Sequence, residues 1–363
     1  MIFLDDEPLR SIGFSFRIQR HLQQHVPIPA GGDPPFRLMR LIEVHRDAMQ
    51  VHDGRVEQRV RVMPRVLRTL DDAGDALAVG DWVGIADDAH GQAWLHHRLP
   101  PLMHLARRDA DGRRHAVVSN VDTAVLVMGL DDDFNPRRLE RYLSLVHGSG
   151  LAVVVVLTKA DVVPAEAVDE AFERLRGRVP PATQVLALDA TRPEAAAQLA
   201  PYLEPGQTLV LLGSSGAGKS TLTNTLIGTA VQDTGVVREH DSRGKHTTTS
   251  RSLHRLPGGA CVIDTPGLRA LSPDLDEDGV AASFGDIEAL AACCRYRDCR
   301  HEAEPGCAVR DGVPADRLRN YQKLLREARR PVLTPLERRA QLAMWKARGR
   351  EGSARAKAKR ELS

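Results

Sequence analysis

Residues 207–228 read QTLVLLGSSGAGKSTLTNTLIG, an apolar strand, a glycine-rich turn and the start of a helix. Gly213, Gly216 and Gly218 let the backbone N–H groups around Ser214, Ser215 and Ala217 converge on phosphate oxygens with no Cβ in the way. The helix that follows adds its positive N-terminal end. Lys219 is placed to reach β- and γ-phosphates, and Ser220 to offer a hydroxyl to Mg²⁺, with Thr221 beside it. A strand before the pattern and a helix after it make GSSGAGKS at 213–220 a phosphate-binding P-loop.

Two further segments narrow the chemistry. DTPG at 264–267 ends the apolar strand ACVID. There Asp264 is expected to hold Mg²⁺ through water, and the Gly267 amide to meet a γ-phosphate. TKAD at 158–161 ends the strand LAVVVVL. Asp161 can accept hydrogen bonds from guanine N1 and the exocyclic amine, which adenine cannot match, and a base that leaves a buried polar group unpaired is rejected strongly. Lys159 and Ala160 line the same turn, with the Lys159 stem along the base plane. Thr158 stands where such proteins usually carry Asn, and its shorter side chain is expected to cost affinity more than specificity. The strand QVLAL runs into Asp189 and Ala190, whose amide is the useful group toward the guanine oxygen.

The order of these motifs is permuted, because an ordinary GTPase places its base-reading segments after DTPG and here they precede the P-loop. Domain termini often lie close together, so a circular permutation can leave the site intact. The segment after DTPG then leads straight into the C-terminal part, and ordering that segment can carry the nucleotide state there.

Working outward, strands alternate with helices from Val121 to the P-loop, implying a mainly parallel sheet covered on both faces. Between Phe36 and Arg114, short β-branched segments separated by Gly and Asp turns predict a small β-barrel. Ahead of it, an amphipathic stretch at 14–22 is followed by the linker-like PIPAGGDPP at 27–35. After Leu271 the chain turns helical and carries four of its five cysteines within fifteen residues. Such a cluster in a reducing compartment predicts a metal site.

With 42% hydrophobic and 27% charged residues the composition is that of a soluble globular protein. MIFLDDEPLRSIGFSF carries acids early and lacks the long apolar stretch of a signal peptide, and no apolar run approaches a membrane span. A cytoplasmic monomer with no membrane contact is expected. Residues 338–363 carry nine Lys or Arg against Glu351 and Glu361, a local +7 within an overall +2. A basic tail suits a polyanion such as nucleic acid. Residues 36–115 hold thirteen basic and twelve acidic residues, so RNA contact there must be a local patch.

The permuted motifs, with NVDTAVLV at 120–127, DDFNPRRLERYL at 132–143, RGKHTTT at 243–249, GDWVGI at 80–85 and the cysteine cluster, resemble the small-ribosomal-subunit-dependent GTPase family RsgA, also called YjeQ. The resemblance covers roughly residues 36–325. It implies an N-terminal OB-fold β-barrel, a circularly permuted α/β P-loop GTPase domain and a C-terminal helical zinc-binding domain. The corresponding boundaries are an extension and linker at 1–35, an RNA-contacting OB-fold at 36–115, the GTPase at 116–272, the zinc domain at 273–330 and a basic tail at 331–363. It further implies GTP/GDP and Mg²⁺ as ligands, the small subunit and its rRNA as partners in late maturation, and hydrolysis stimulated by that subunit. An RNA-binding protein that keeps the nucleotide as a structural clip is the alternative.

Within this frame Thr248 or Thr249 is expected to join the Mg²⁺ shell. Leu268, not glutamine, follows DTPG, which leaves His246 as the candidate for positioning the attacking water. Cys294, Cys299, His301 and Cys307 form a Cys₃His set for one structural Zn²⁺. Cys293 competes with Cys294, and the family spacing favours Cys294.

Overall fold

The computed structural model describes residues 6–25, 35–45, 48–108, 114–228, 251–265, 272–273 and 275–329. Two helices come first, α1 (Asp6–Arg10) and α2 (Phe16–His25). Ile18 and Leu22 lie one turn apart on the buried face of α2. Together with Leu9, Ile12 and Phe14 they pack on Leu38, Trp82 and Leu99 of the unit that follows, and Phe14 meets the Trp82 ring edge-on at 5.1 Å. Much of the extension expected at 1–35 is therefore folded against the barrel.

That barrel comprises β1 (Arg37–Val44), β2 (Met49–His52), β3 (Glu57–Val62), α3 (Pro64–Asp72), β4 (Trp82–Asp87) and β5 (Ala93–Arg98). Its strands run in the order β1-β2-β3-β5-β4, and β4 closes back onto β1. The β3–β5 pair is parallel and the helix lies between β3 and β4, which is the five-stranded OB arrangement. Period-two alternation turns Met39, Leu41, Val51, Val83, Ile85 and Leu95 inward to fill it.

A ribbon of β6 (His104–Arg108) and β7 (Arg114–Ser119) leads to the α/β part. There follow β8 (Thr123–Gly129), α4 (Pro136–His147), β9 (Ala152–Thr158), α5 (Ala165–Leu175), β10 (Gln184–Ala187), α6 (Glu194–Gln198), β11 (Thr208–Leu212), α7 (Lys219–Ile227), β12 (Ser252–Arg255) and β13 (Cys261–Asp264). The sheet order is β10-β9-β8-β11-β13-β12, parallel except for β12. All seven residues of β8 are buried, as expected for a strand covered on both faces. The carboxyl ends of β8, β9, β11 and β13 share one edge, where ligands of such sheets bind. Edge strand β12 also pairs with β1 through Ser252 and Glu43, so the barrel continues the sheet.

Last come β14 (Ser272–Pro273), which pairs with β6, and the helices α8 (Glu277–Ser283), α9 (Gly285–Ala291), α10 (Ala308–Gly312) and α11 (Ala315–Ala328). Their apolar residues Val280, Phe284, Leu318 and Leu324 share one core with Leu139, Leu143 and Val146 of α4. The C-terminal helices are thus packed on the α/β part itself. Among the described residues no helix is long and apolar enough to cross a membrane.

Candidate functional site

The P-loop leaves β11 and runs into α7 at the shared carboxyl edge. A Cβ on Gly213 would sit 2.3 Å from the Val127 carbonyl oxygen, and Gly218 has φ of +88°, so both positions require glycine. Ser215 and Gly216 stand exposed at the crest, Ala217 is buried, and Ser220 and Thr221 are half-buried on the first turn of α7. Lys219 is folded back over the loop, donating from Nζ to the carbonyls of Gly213 at 3.1 Å and Ser214 at 2.7 Å. Burial pushes its ammonium pKa down, against the nearby charges of Asp264 and Asp133.

Asp264 is buried at the end of β13. Thr265 after it donates to the Leu211 carbonyl at 2.7 Å, tying the start of DTPG to the P-loop strand. The Ser220 hydroxyl and the Asp264 carboxylate are hard oxygen donors and could hold Mg²⁺.

The base-reading turn follows β9. Thr158 is fully buried, and its hydroxyl donates to the Ala217 carbonyl at 2.7 Å. The side chain standing in for Asn is therefore committed to the P-loop. Lys159 adopts φ of +63°, and its ammonium donates to Asp131 Oδ2 at 2.5 Å. Asp161 is exposed, open to a ligand's hydrogen bonds. The Ala160 amide reaches the Leu188 carbonyl at 3.4 Å, which brings the two base-side segments together. The Ala190 carbonyl is anchored by Thr225 Oγ1 at 2.7 Å. Asp189 accepts from both the amide and the hydroxyl of Thr191, and those bonds hold its carboxyl below the usual range.

The sequence reading missed Asp131 and Asp133. Asp133 takes the Ser214 hydroxyl at 2.6 Å and pairs with Arg138. Three consecutive acids immediately after a buried strand, at the edge where the other motifs end, were the available signal.

A second cluster lies between α9 and α10. The ligand atoms of Cys294, Cys299, His301 and Cys307 all lie within 4.8 Å of one another. Cys294 Sγ is 4.0 Å from Cys307 Sγ, and His301 Nδ1 is 3.7 and 3.5 Å from those sulfurs. A tetrahedral Zn²⁺ with bonds of about 2.0–2.3 Å has edges of about 3.5–3.8 Å, so the donor set fits zinc in type and spacing. Cys293 is exposed and outside the group, and Cys261 is buried in β13. His246, Thr248, Thr249, Gly267 and the basic tail lie outside the described residues.

The RsgA GTPase family model matches residues 100–274. The small ribosomal subunit biogenesis GTPase RsgA of Xanthomonas campestris pv. campestris strain B100 is 46% identical over 294 residues, covering 78% of this chain and 79% of that protein. Its counterpart from Xanthomonas oryzae pv. oryzae strain PXO99A is 46% identical over 293 residues, with 78% and 79% coverage. In fold the chain is similar to YjeQ from Thermotoga maritima, with a TM-score of 0.59, 22% identity and coverage of 82% of this chain and 100% of that one. It is similar also to YloQ, a circularly permuted GTPase, with a TM-score of 0.56, 21% identity and coverage of 84% and 99%. Sequence identity over most of the chain and the permuted motif order at one sheet edge agree: the chain belongs to the RsgA family of circularly permuted GTPases, and it hydrolyses GTP.

Proposed function

We propose that the chain acts in late maturation of the small ribosomal subunit, binding the subunit and its rRNA and hydrolysing GTP faster when bound. The observation that carries this reading is the gathering of TKAD, the P-loop and Asp264 at one edge, in a chain whose relatives bear that name. Asp161 accepts from guanine N1 and the exocyclic amine while Lys159 lies along the base. The amides of residues 213–220 meet the phosphates, and Lys219 moves from the carbonyls of Gly213 and Ser214 onto the β- and γ-phosphates. Mg²⁺, when bound, offsets phosphate charge, and Ser220 and Asp264 would hold it, with Thr248 or Thr249 joining in the GTP state. Gly267 offers its amide to the γ-phosphate, and His246 positions the attacking water in place of a glutamine.

Zn²⁺ on Cys294, Cys299, His301 and Cys307 would fill four positions and leave none open, a structural role. The OB barrel and the basic tail supply the RNA contact, which makes binding salt-dependent. Such a protein works as a monomer in the cytoplasm.

The test is hydrolysis of GTP and of ATP, each with and without purified small subunits. A strong preference for GTP and stimulation by subunits are expected. Preference for ATP, or a rate indifferent to subunits, overturns the reading, and turnover negligible throughout favours an RNA-binding protein with a nucleotide clip. His246→Ala with stimulated hydrolysis intact removes His246 from the mechanism.

A further inference from the structure

The recognised motifs leave the acids between β8 and α4 without a task, yet that loop touches both halves of the nucleotide site. Its Leu130 amide donates to the Thr158 carbonyl at 3.0 Å. Asp131 accepts Lys159 Nζ at 2.5 Å through Oδ2 and the Asp133 amide at 3.3 Å through Oδ1. Asp133 accepts the Ser214 hydroxyl at 2.6 Å on either oxygen and the Gly129 amide at 3.4 Å, and Arg138 offsets its charge. Ser214 in turn presents the carbonyl that holds Lys219 Nζ at 2.7 Å.

We propose that this loop sets the geometry of the nucleotide site, with Asp131 positioning Lys159 against the base and Asp133 positioning Ser214, and with it the start of the P-loop, around the phosphates. A lysine stem has several rotatable bonds, and a stem that is to lie flat along a base must be steered. The left-handed backbone of Lys159 sets where the stem starts, and Asp131 fixes where it ends. Burial pushes the Asp131 carboxyl up, but the Lys159 bond and charge outweigh it and hold it below the usual range. Asp131 therefore stays ionised at neutral pH and keeps its grip. Asp133 works from the other side: its side chain is 12% exposed, so a carboxylate in contact with Arg138 replaces solvent around the Ser214 hydroxyl. Both acids act through a neighbour and neither needs to touch the ligand.

The inference rests on the reading that Lys159 faces the base and the P-loop the phosphates, so the experiment carries its own control. GDP affinity of the full chain is measured by calorimetry for Lys159→Ala, Asp131→Ala and the double variant, and in parallel for Ser214→Ala, Asp133→Asn and their double. Each acid variant is expected to weaken GDP about three- to tenfold, and each double variant to be no weaker than the poorer of its singles, since contacting residues couple in such cycles. In the two acid variants, whose side chains act only through a neighbour, the loss should fall more on KM than on the maximal rate at saturating GTP. Asp131→Asn, of the same shape, replaces Asp131→Ala if the alanine variant melts early. Unchanged GDP affinity in the acid variants, or losses that simply add in the doubles, overturns the positioning role. Unchanged affinity in Lys159→Ala overturns the base-site reading and this inference with it.

Discussion

The Thr158 hydroxyl has one short partner, the Ala217 carbonyl at 2.7 Å, and the residue is fully buried. It joins the base side of the site to the phosphate side where an Asn would be expected to do more. Thr158→Val keeps the volume and removes the donor, leaving a P-loop carbonyl without it. The expected cost is about 1–3 kcal/mol, read as a lower urea midpoint and accompanied by weaker GDP binding, whereas Thr158→Ser should hold both near the parent values. A parent-like midpoint and affinity in Thr158→Val would show that the bond is dispensable. At this scale the sequence was readable wherever chemistry is carried by fixed spacing, as in Gly213 to Ser220 and in the Cys₃His set. The bond of Thr158 to the Ala217 carbonyl could not be foreseen because that partner is 59 positions away, and no local pattern announces such a pair. Asp131 and Asp133 escaped for the same reason.

Helix α4 was legible as a helix: Asn135 accepts from the Arg138 amide as N-cap, Pro136 opens the first turn, and Gly148 follows the last. Its burial was not. A helix lying on a sheet should keep one face in water, but α4 buries Leu139, Glu140, Tyr142 through Val146 because α8 and α11 cover its outer side. Glu140 is fully buried and accepts from Arg178 at 2.9 Å, Arg317 at 2.7 Å and Asn320 at 2.5 Å, while Arg317 also pairs with Asp286 and lies over the Phe284 ring at 4.6 Å. The charge of Glu140 thus holds together the α/β part and the C-terminal helices. Glu140→Gln keeps the shape but leaves the buried Arg317 and the partly buried Arg178 with one anion fewer each, and breaking such a buried pair costs up to about 3–5 kcal/mol. The outer pair between Arg141 of the same helix and Glu327 of α11 is about a quarter exposed on each side, so Arg141→Ala should cost about 1 kcal/mol or less. Denaturant titration of the two variants side by side tests the contrast, and equal losses would mean that the Glu140 cluster is no clamp.

At the scale of the whole molecule, two fastenings hold the parts, and they should fail differently. Arg40 of β1 is fully buried and donates to the carbonyls of Gly80, Ile12 and Asn120 and to the Thr208 hydroxyl, joining the barrel, the N-terminal helices and the start of β11. Arg40→Met removes that donor from the Ile12 and Asn120 carbonyls and the Thr208 hydroxyl, while Gly80 keeps the Asn120 side-chain amide, and a loss of about 3 kcal/mol or more is expected. In calorimetry it should appear as a barrel transition that separates from, and precedes, that of the α/β part; a single unshifted transition would contradict it. The Cys₃His group is a different kind of joint, because its ligands sit on the exposed, apolar-poor stretch between α9 and α10, where a bound metal would do the work of core burial. The docking of α11 rests mainly on Leu318, Tyr321 and Leu324 in the shared core and on the Glu140 cluster, with one bond to the cysteine loop from Gln322 Nε2 to the His301 carbonyl at 3.2 Å. One zinc per chain is expected by atomic absorption. Chelation should open residues 293–307 to protease and to thiol reagents while α11 stays docked and GDP affinity changes by no more than about twofold, as for sites with no shared partners. Loss of GDP binding on chelation that is restored when zinc is returned would instead mean that the zinc loop and the nucleotide domain stand or fall as one cooperative unit.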